Sequence, residues 1–156
     1  LTYTIEREPS RSALNDLMPL FLAHHEEMAD NLAEIGIPVF AFNPDVERYA
    51  YAEECGLFAC YVVRFNGDAV GYMNVKIGAD TRTGVMMAQE DALYITPDHR
   101  RGIGLKLVRH VIEELKHLGV KRLFVSSVTD PRADKLWKRI GFKPMAMQMA
   151  YDMEGA

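Results

Sequence analysis

The residues best suited to chemistry are His99-Arg100-Arg101-Gly102-Ile103-Gly104, between an apolar stretch ending at Ile95 and an amphipathic one beginning near Leu105. Two glycines one residue apart let the main chain come close to a ligand. A helix starting there has N–H groups without internal acceptors, and its dipole favours negative charge ahead of it. Arg100 and Arg101 add fork-shaped cationic donors. The combination suits a pyrophosphate. It is not the dinucleotide fingerprint, because the third glycine is missing and the segment follows a hairpin. Nor is it the phosphate loop of nucleoside triphosphatases, whose lysine is absent.

A second candidate lies just upstream. Gln89-Glu90-Asp91 precedes Ala92-Leu93-Tyr94-Ile95. A carboxylate in a partly dry cleft can serve as a general base. Strand alternation puts Glu90 and Asp91 on opposite faces and Asp91 on the face of Leu93 and Ile95. At most one then points into a cleft, unless a bulge intervenes. His24-His25-Glu26-Glu27 forms a polar cluster in the first helical stretch, without the spacing of a metal site. Phe40, Phe42, Tyr49 and Tyr51 suit either a pocket lining or a core. Ser126, Ser127 and Thr129 are hydroxyls at the end of a strand-like segment.

These groups need elements to hold them. Residues 2–7 alternate as an opening strand. Ser10 or Ser12 starts a helix running to about Asn31, with Leu14, Leu17, Met18, Phe21 and Leu22 at helical spacing and Pro19 implying a kink or a break. Asn43-Pro44-Asp45 opens a second helix, which Gly56 stops. Leu57–Arg64 and Ala69–Ile77 are strands around an Asn66-Gly67 hairpin turn. Val85–Ile95 contains a fourth strand, interrupted near Gln89. Gly102–Leu118 is an amphipathic helix, Leu123–Val128 a fifth strand, and Asp130-Pro131 opens a helix ended by Gly141. Met145–Met153 suits one or two closing strands. With no repeat or linker, residues 1–156 are expected to form one α+β domain. The middle strand–helix–strand unit should make a right-handed parallel pair.

Composition sets outer limits. The 156 residues, 49% hydrophobic, can bury a core without staples. The net charge of −4, from 18 Lys+Arg against 22 Asp+Glu, argues against a general nucleic-acid binder. No apolar run reaches the ~20 residues of a membrane span, and no signal peptide is visible. Cys55 and Cys60 lack zinc-site partners and suit free thiols in a reducing cytoplasm.

The stretch from Leu93 to Leu107 resembles the central motif of GNAT N-acetyltransferases: strand, proline, basic residue, Gly-x-Gly, helix. Asp130–Phe142 is similar to the family's last helix and its Gly-Phe, and close similarity covers residues 85–143. His24–Glu27, Tyr49–Glu54 and Asp91–Ile95 also resemble segments of small phage and prophage members. The resemblance implies a three-layer fold. Its central sheet is mixed and mostly antiparallel, with a splayed parallel strand pair and helices on both faces. It implies acetyl-CoA as co-substrate, no metal, and direct attack by an amine of a small molecule or protein in a ternary complex. Arg100, Arg101, Gly102, Ile103, Gly104 and Leu105 would hold the pyrophosphate. Leu93, Tyr94 and Ile95 would pair with the pantetheine arm, and Asp130 and Trp137 would border it. Asp91, with Glu90 as alternative, would take the proton. His24, His25, Glu27 and Phe42 would border the acceptor. A homodimer is possible on this fold.

Three departures stand out. His99 occupies the place of a family arginine or glutamine. Asp130 stands where asparagine is common, and an ionised Asp can only accept. Trp137 stands where many members carry the tyrosine that protonates the leaving thiolate, and indole cannot do that. This leaves open a catalytically weak acyl-CoA-binding or regulatory domain. The glycine turn alone also fits a phosphate-binding module of another class, such as a nucleotide sensor.

Overall fold

The computed structural model describes residues 2–127 and 130–153. The chain runs β1 (Tyr3–Arg7), α1 (Ser10–Glu34), α2 (Val46–Glu54), β2 (Phe58–Phe65), β3 (Asp68–Ala79) and β4 (Met86–Ile95). A short 3-10 turn (Pro97–His99) then leads to α3 (Ile103–His117), β5 (Arg122–Phe124) and α4 (Pro131–Ile140). The five strands pair in sequence order. All neighbours are antiparallel except β4 and β5, which are parallel.

The sheet has helices on both faces. Along β2, Phe58, Cys60 and Val62 pack with Leu14, Leu17 and Phe21 of α1. The alternate residues Ala59, Tyr61 and Val63 pack with Leu107, Val108 and Val111 of α3. Burial on both faces explains why β2 is apolar at every position from Phe58 to Val63 instead of alternating. Asn66 and Gly67 turn the β2–β3 hairpin with φ of 50° and 93°, the left-handed values of the turn that matches strand twist.

Of the kink or break that Pro19 implies, the break is absent from α1. It is one helix of 25 residues, with Pro19 inside it, and it extends past Asn31 to Glu34. Leu17 before the proline and Leu20 and Phe21 after it are all buried on the sheet. Packing on both sides of the missing N–H holds the helix together, a tertiary effect that local propensity does not contain. Asp45 caps α2 by accepting from the Arg48 N–H at 3.1 Å, and Pro44 lies just before the cap.

Two expected strands change. β5 pairs over three residues only; its expected end, Val128, lies outside the described residues. Residues 143–153 form no strand, contrary to the expected closure at Met145–Met153. The alternating row is real, but Met147 and Met153 are 82% and 87% exposed. An apolar face becomes a strand only against a ladder and a second layer, and β5 at the sheet edge supplies too short a ladder.

Candidate active site

The site begins where two strands part. β4 pairs with β5 through Met87↔Arg122, Ala88↔Leu123 and Gln89↔Phe124, and no further. From Glu90 onward the β5-facing edge of β4 borders a cleft of about 610 Å³. Leu93, Tyr94 and Ile95 line one wall, Ser126 and Ser127 the opposite one, and Asp130, Leu136 and Trp137 the α4 side. Thr129, named with those serines in the sequence, lies outside the described residues.

The glycine turn closes one end. Gly102 caps α3 at φ 87°, in the left-handed region that a side chain disfavours. The Lys106 N–H reaches back to the Gly102 carbonyl at 3.4 Å, so the N–H groups of Ile103, Gly104 and Leu105 precede the first turn's closure. A methyl group on Gly104 would meet only Leu136 and Ile95, at 3.8 and 3.9 Å. The protein itself therefore has room for a side chain there. The missing atom keeps open the approach to the helix start, which fits a pyrophosphate against the N–H groups.

The arginines divide their work. Arg101 is exposed. Arg100 turns inward: its Nε donates to the Ile95 carbonyl at 2.7 Å, its Nη2 donates to Glu27 Oε2 at 2.8 Å, and its guanidinium lies over the Tyr94 ring. Glu27 also accepts from Arg132, which binds Asp130 as well. Burial works to raise the Glu27 pKa, but the hydrogen bonds from Arg100 and Arg132 outweigh it and hold the carboxyl below its ordinary value. One carboxylate of α1 thus ties the turn after β4 to the start of α4. His99 takes no part in the cleft. Its Nδ1 meets the Tyr3 hydroxyl at 2.7 Å, which anchors the turn to β1.

Asp130 caps α4 through the Arg132 N–H at 2.9 Å, so its carboxylate is engaged as an acceptor. Trp137 is buried, with its Nε1 donating to the Ser126 carbonyl.

The two candidate bases are arranged by a bulge. Asn74 faces Ala92, but the next residue of β3, Val75, faces Glu90, so Asp91 is an extra residue in β4. The parity of the strand flips across it. Met86 and Ala88 pack in the α3 cluster, whereas Ala92 and Tyr94 pack in the α1 cluster. This is the exception that alternation left open: a bulge intervenes, and both carboxylates line the cleft. Asp91 pairs with Lys76 at 3.2 Å. Glu90 has no ion-pair partner among the described residues. Burial, reinforced by repulsion from Asp91, raises its pKa to about 7.

The expected acceptor cluster splits. His24, His25 and Phe42 line a second cavity of about 500 Å³, between α1 and residues 38–44. Glu27 belongs to the first cleft. His24 Nδ1 meets the Tyr72 hydroxyl at 2.8 Å and its ring stacks on Tyr94. Burial lowers its pKa against the opposing pull of Glu27. The His25 ring lies 5.4 Å from that of Phe42. His24, Met28 and Ala92 line both cavities, so the two adjoin. Sequence reasoning missed Tyr72, Asn74 and Arg132. A lone polar residue inside the apolar run of β3 was the available signal for Asn74.

Comparison with known proteins agrees with this architecture. The model of the acetyltransferase (GNAT) family matches residues 23–142, and the chain belongs to that family. No curated protein matches it significantly. An aminoglycoside acetyltransferase from an uncultured soil metagenomic sample has 17% identity and a TM-score of 0.76, over 99% of this chain and 100% of that one. A second such enzyme, solved with sisomicin, has 20% identity and a TM-score of 0.70, over 97% of each chain. A ribosomal-protein-alanine N-acetyltransferase from Brucella melitensis biovar Abortus has 19% identity and a TM-score of 0.69, over 97% and 99%. At these identities the likeness is one of fold.

Proposed function

We propose that the protein transfers an acetyl group from acetyl-CoA to a primary amine in a ternary complex, with Glu90 as general base. The observation that carries this reading is the cleft opened beyond Gln89↔Phe124. It has a glycine turn at one end and the Glu90–Asp91 bulge on its wall.

The N–H groups of Ile103, Gly104 and Leu105 would hold the pyrophosphate, aided by Arg101. The open edge of β4 at Leu93–Ile95 offers main-chain groups to an amide-bearing arm. Acetyl-CoA, when bound, supplies a thioester whose C–S bond breaks as the C–N bond to the acceptor forms, the thiolate leaving as CoA. An alkylamine near neutral pH is mostly protonated, by roughly three log units for a lysine-like pKa. Glu90 takes that proton. A pKa of about 7 suits the task, since a base works best when poised near the operating pH. Asp91, held by Lys76, acts as the neighbour that keeps Glu90 basic. Neither cysteine competes as an acyl carrier. Cys60 is buried with its thiol pushed up to about 12, and Cys55 lies at the end of α2 outside the cleft.

Calorimetry with acetyl-CoA and a thiol-release assay with a panel of amines test the reading together. Tight acetyl-CoA binding without thiol release would favour the regulatory alternative raised by Trp137. We further propose a cytoplasmic homodimer. Sedimentation velocity checks the assembly.

A further inference from the structure

The second cavity differs chemically from the first. The cofactor-side cleft includes Glu27, Glu90, Asp91 and Asp130, together with Arg100 and Arg132. The cavity between α1 and residues 38–44 has no Asp, Glu, Lys or Arg among its described lining residues. Its walls include Phe21, Phe40, Phe42 and Tyr49, and its polar groups are uncharged or histidine: His24, His25, Asn43, Tyr72 and Asn74. Phe40 stands at the rim, 70% exposed. Asn74 is 2% exposed, and its Oδ1 is a buried acceptor with no hydrogen-bond partner. Such an orphan is uncommon, because an unmet buried acceptor costs free energy. It faces Ala92 across the β3–β4 ladder, one step from the bulge that carries Glu90 and Asp91.

We propose that this cavity takes the body of the acceptor, that the acceptor is a primary amine bearing an aromatic or branched apolar group, and that Asn74 Oδ1 accepts one of its N–H bonds. The inference rests on the acetyl-transfer reading and narrows its substrate class. Apolar walls favour apolar surface. They penalise a polycation, whose several ammonium groups would lose water without gaining carboxylates. A single amine escapes that penalty: its one charge sits at the junction with the cleft that Glu90 and Asp91 line, and its N–H is the donor that Asn74 Oδ1 lacks. His24, shared by both cavities and held by Tyr72, borders that junction.

The test is a thiol-release assay with acetyl-CoA, comparing 2-phenylethylamine with sisomicin and with a lysine-containing peptide. The apolar amine should show a kcat/KM at least tenfold above both others. Asn74→Leu keeps the volume and removes the orphan, so it should fold with an equal or higher Tm. It should raise KM for 2-phenylethylamine at least tenfold and leave CoA affinity unchanged. Calorimetric titration of 2-phenylethylamine into CoA-saturated protein gives a readout independent of turnover, and binding should be lost in the same variant. Preferred turnover of sisomicin or the peptide would overturn the substrate class and leave acetyl transfer standing. An unchanged KM in Asn74→Leu would overturn the role of Asn74. Absence of acetyl-CoA binding would overturn the function and this inference together.

Discussion

The indole Nε1 of Trp137 donates to the carbonyl oxygen of Ser126 at 3.1 Å, which ties α4 to the segment just beyond β5. Trp137 also meets Phe142 edge to face, with ring centroids 5.4 Å apart. Its place is therefore in the wall of the cleft. Trp137→Phe removes one hydrogen bond, worth about 1 kcal/mol, and keeps most of the packing. Turnover should stay within tenfold of the parent and Tm should fall by a few degrees. A loss of more than a thousandfold with intact CoA affinity would assign the indole a chemical role. Trp137→Ala should cost about 3–5 kcal/mol, seen as a large shift in the urea midpoint.

Gly104 separates packing from binding. Because a Cβ there meets protein atoms only at ordinary distances, Gly104→Ala should fold with an unchanged or slightly raised Tm, as alanine favours helix by up to about 1 kcal/mol. Gly104→Val places more bulk at the helix start. It should weaken CoA binding tenfold or more, about 1.4 kcal/mol, read by calorimetry. Normal CoA affinity in folded Gly104→Val would move the phosphate site elsewhere.

Local chemistry made much of this legible in the sequence. The Asn66-Gly67 turn, the Asp45 and Asp130 caps and the Gly102 entry to α3 are set by residues whose backbone preferences are strong. The failures share a different cause. Pro19 does not divide α1, because sheet packing on both sides overrides it. Met145–Met153 alternates like a strand and lacks a ladder. An interruption near Gln89 was legible, but its placement at Asp91 depends on register with β3, which the local residues do not contain. The pairing of Glu27 with Arg100 and Arg132 joins residues far apart in the chain.

The bulge leads to a prediction about stability. The Glu90 pKa is raised in the fold, to about 7 from an ordinary 4.5. The folded state thus binds a proton more tightly than the unfolded one. Stability therefore falls as pH rises from about 4.5 through 7 and stays lowered above that, because Glu90 must then be charged where burial disfavours it. Glu90→Gln removes the penalty. Above pH 7 the variant should be more stable than the parent by on the order of 1–2 kcal/mol, the shift being discounted for residual solvation. Near pH 4.5 the difference should vanish. Urea denaturation at both pH values checks the sign.

The same substitution should act oppositely on catalysis. Glu90→Gln keeps shape and removes the base, and loss of a general base typically costs ~10²–10⁴-fold in rate. The loss should shrink at high pH, where the amine is already neutral. In the parent, the active form of Glu90 is the carboxylate, so kcat/KM should rise with pH through about 7. Asp91 sharpens the test. Its charge is the second cause, after burial, of the raised Glu90 pKa. Asp91→Asn removes that repulsion, so the acid limb of the profile should move to lower pH, with the plateau rate reduced less than in Glu90→Gln. If Asp91→Asn abolished turnover while Glu90→Gln left it intact, the roles would be exchanged, and Asp91 would take the proton despite its pairing with Lys76. If neither substitution changed the rate, the proton would leave by another route, and His24, hydrogen-bonded to Tyr72 at the junction of the two cavities, would be the next group to replace.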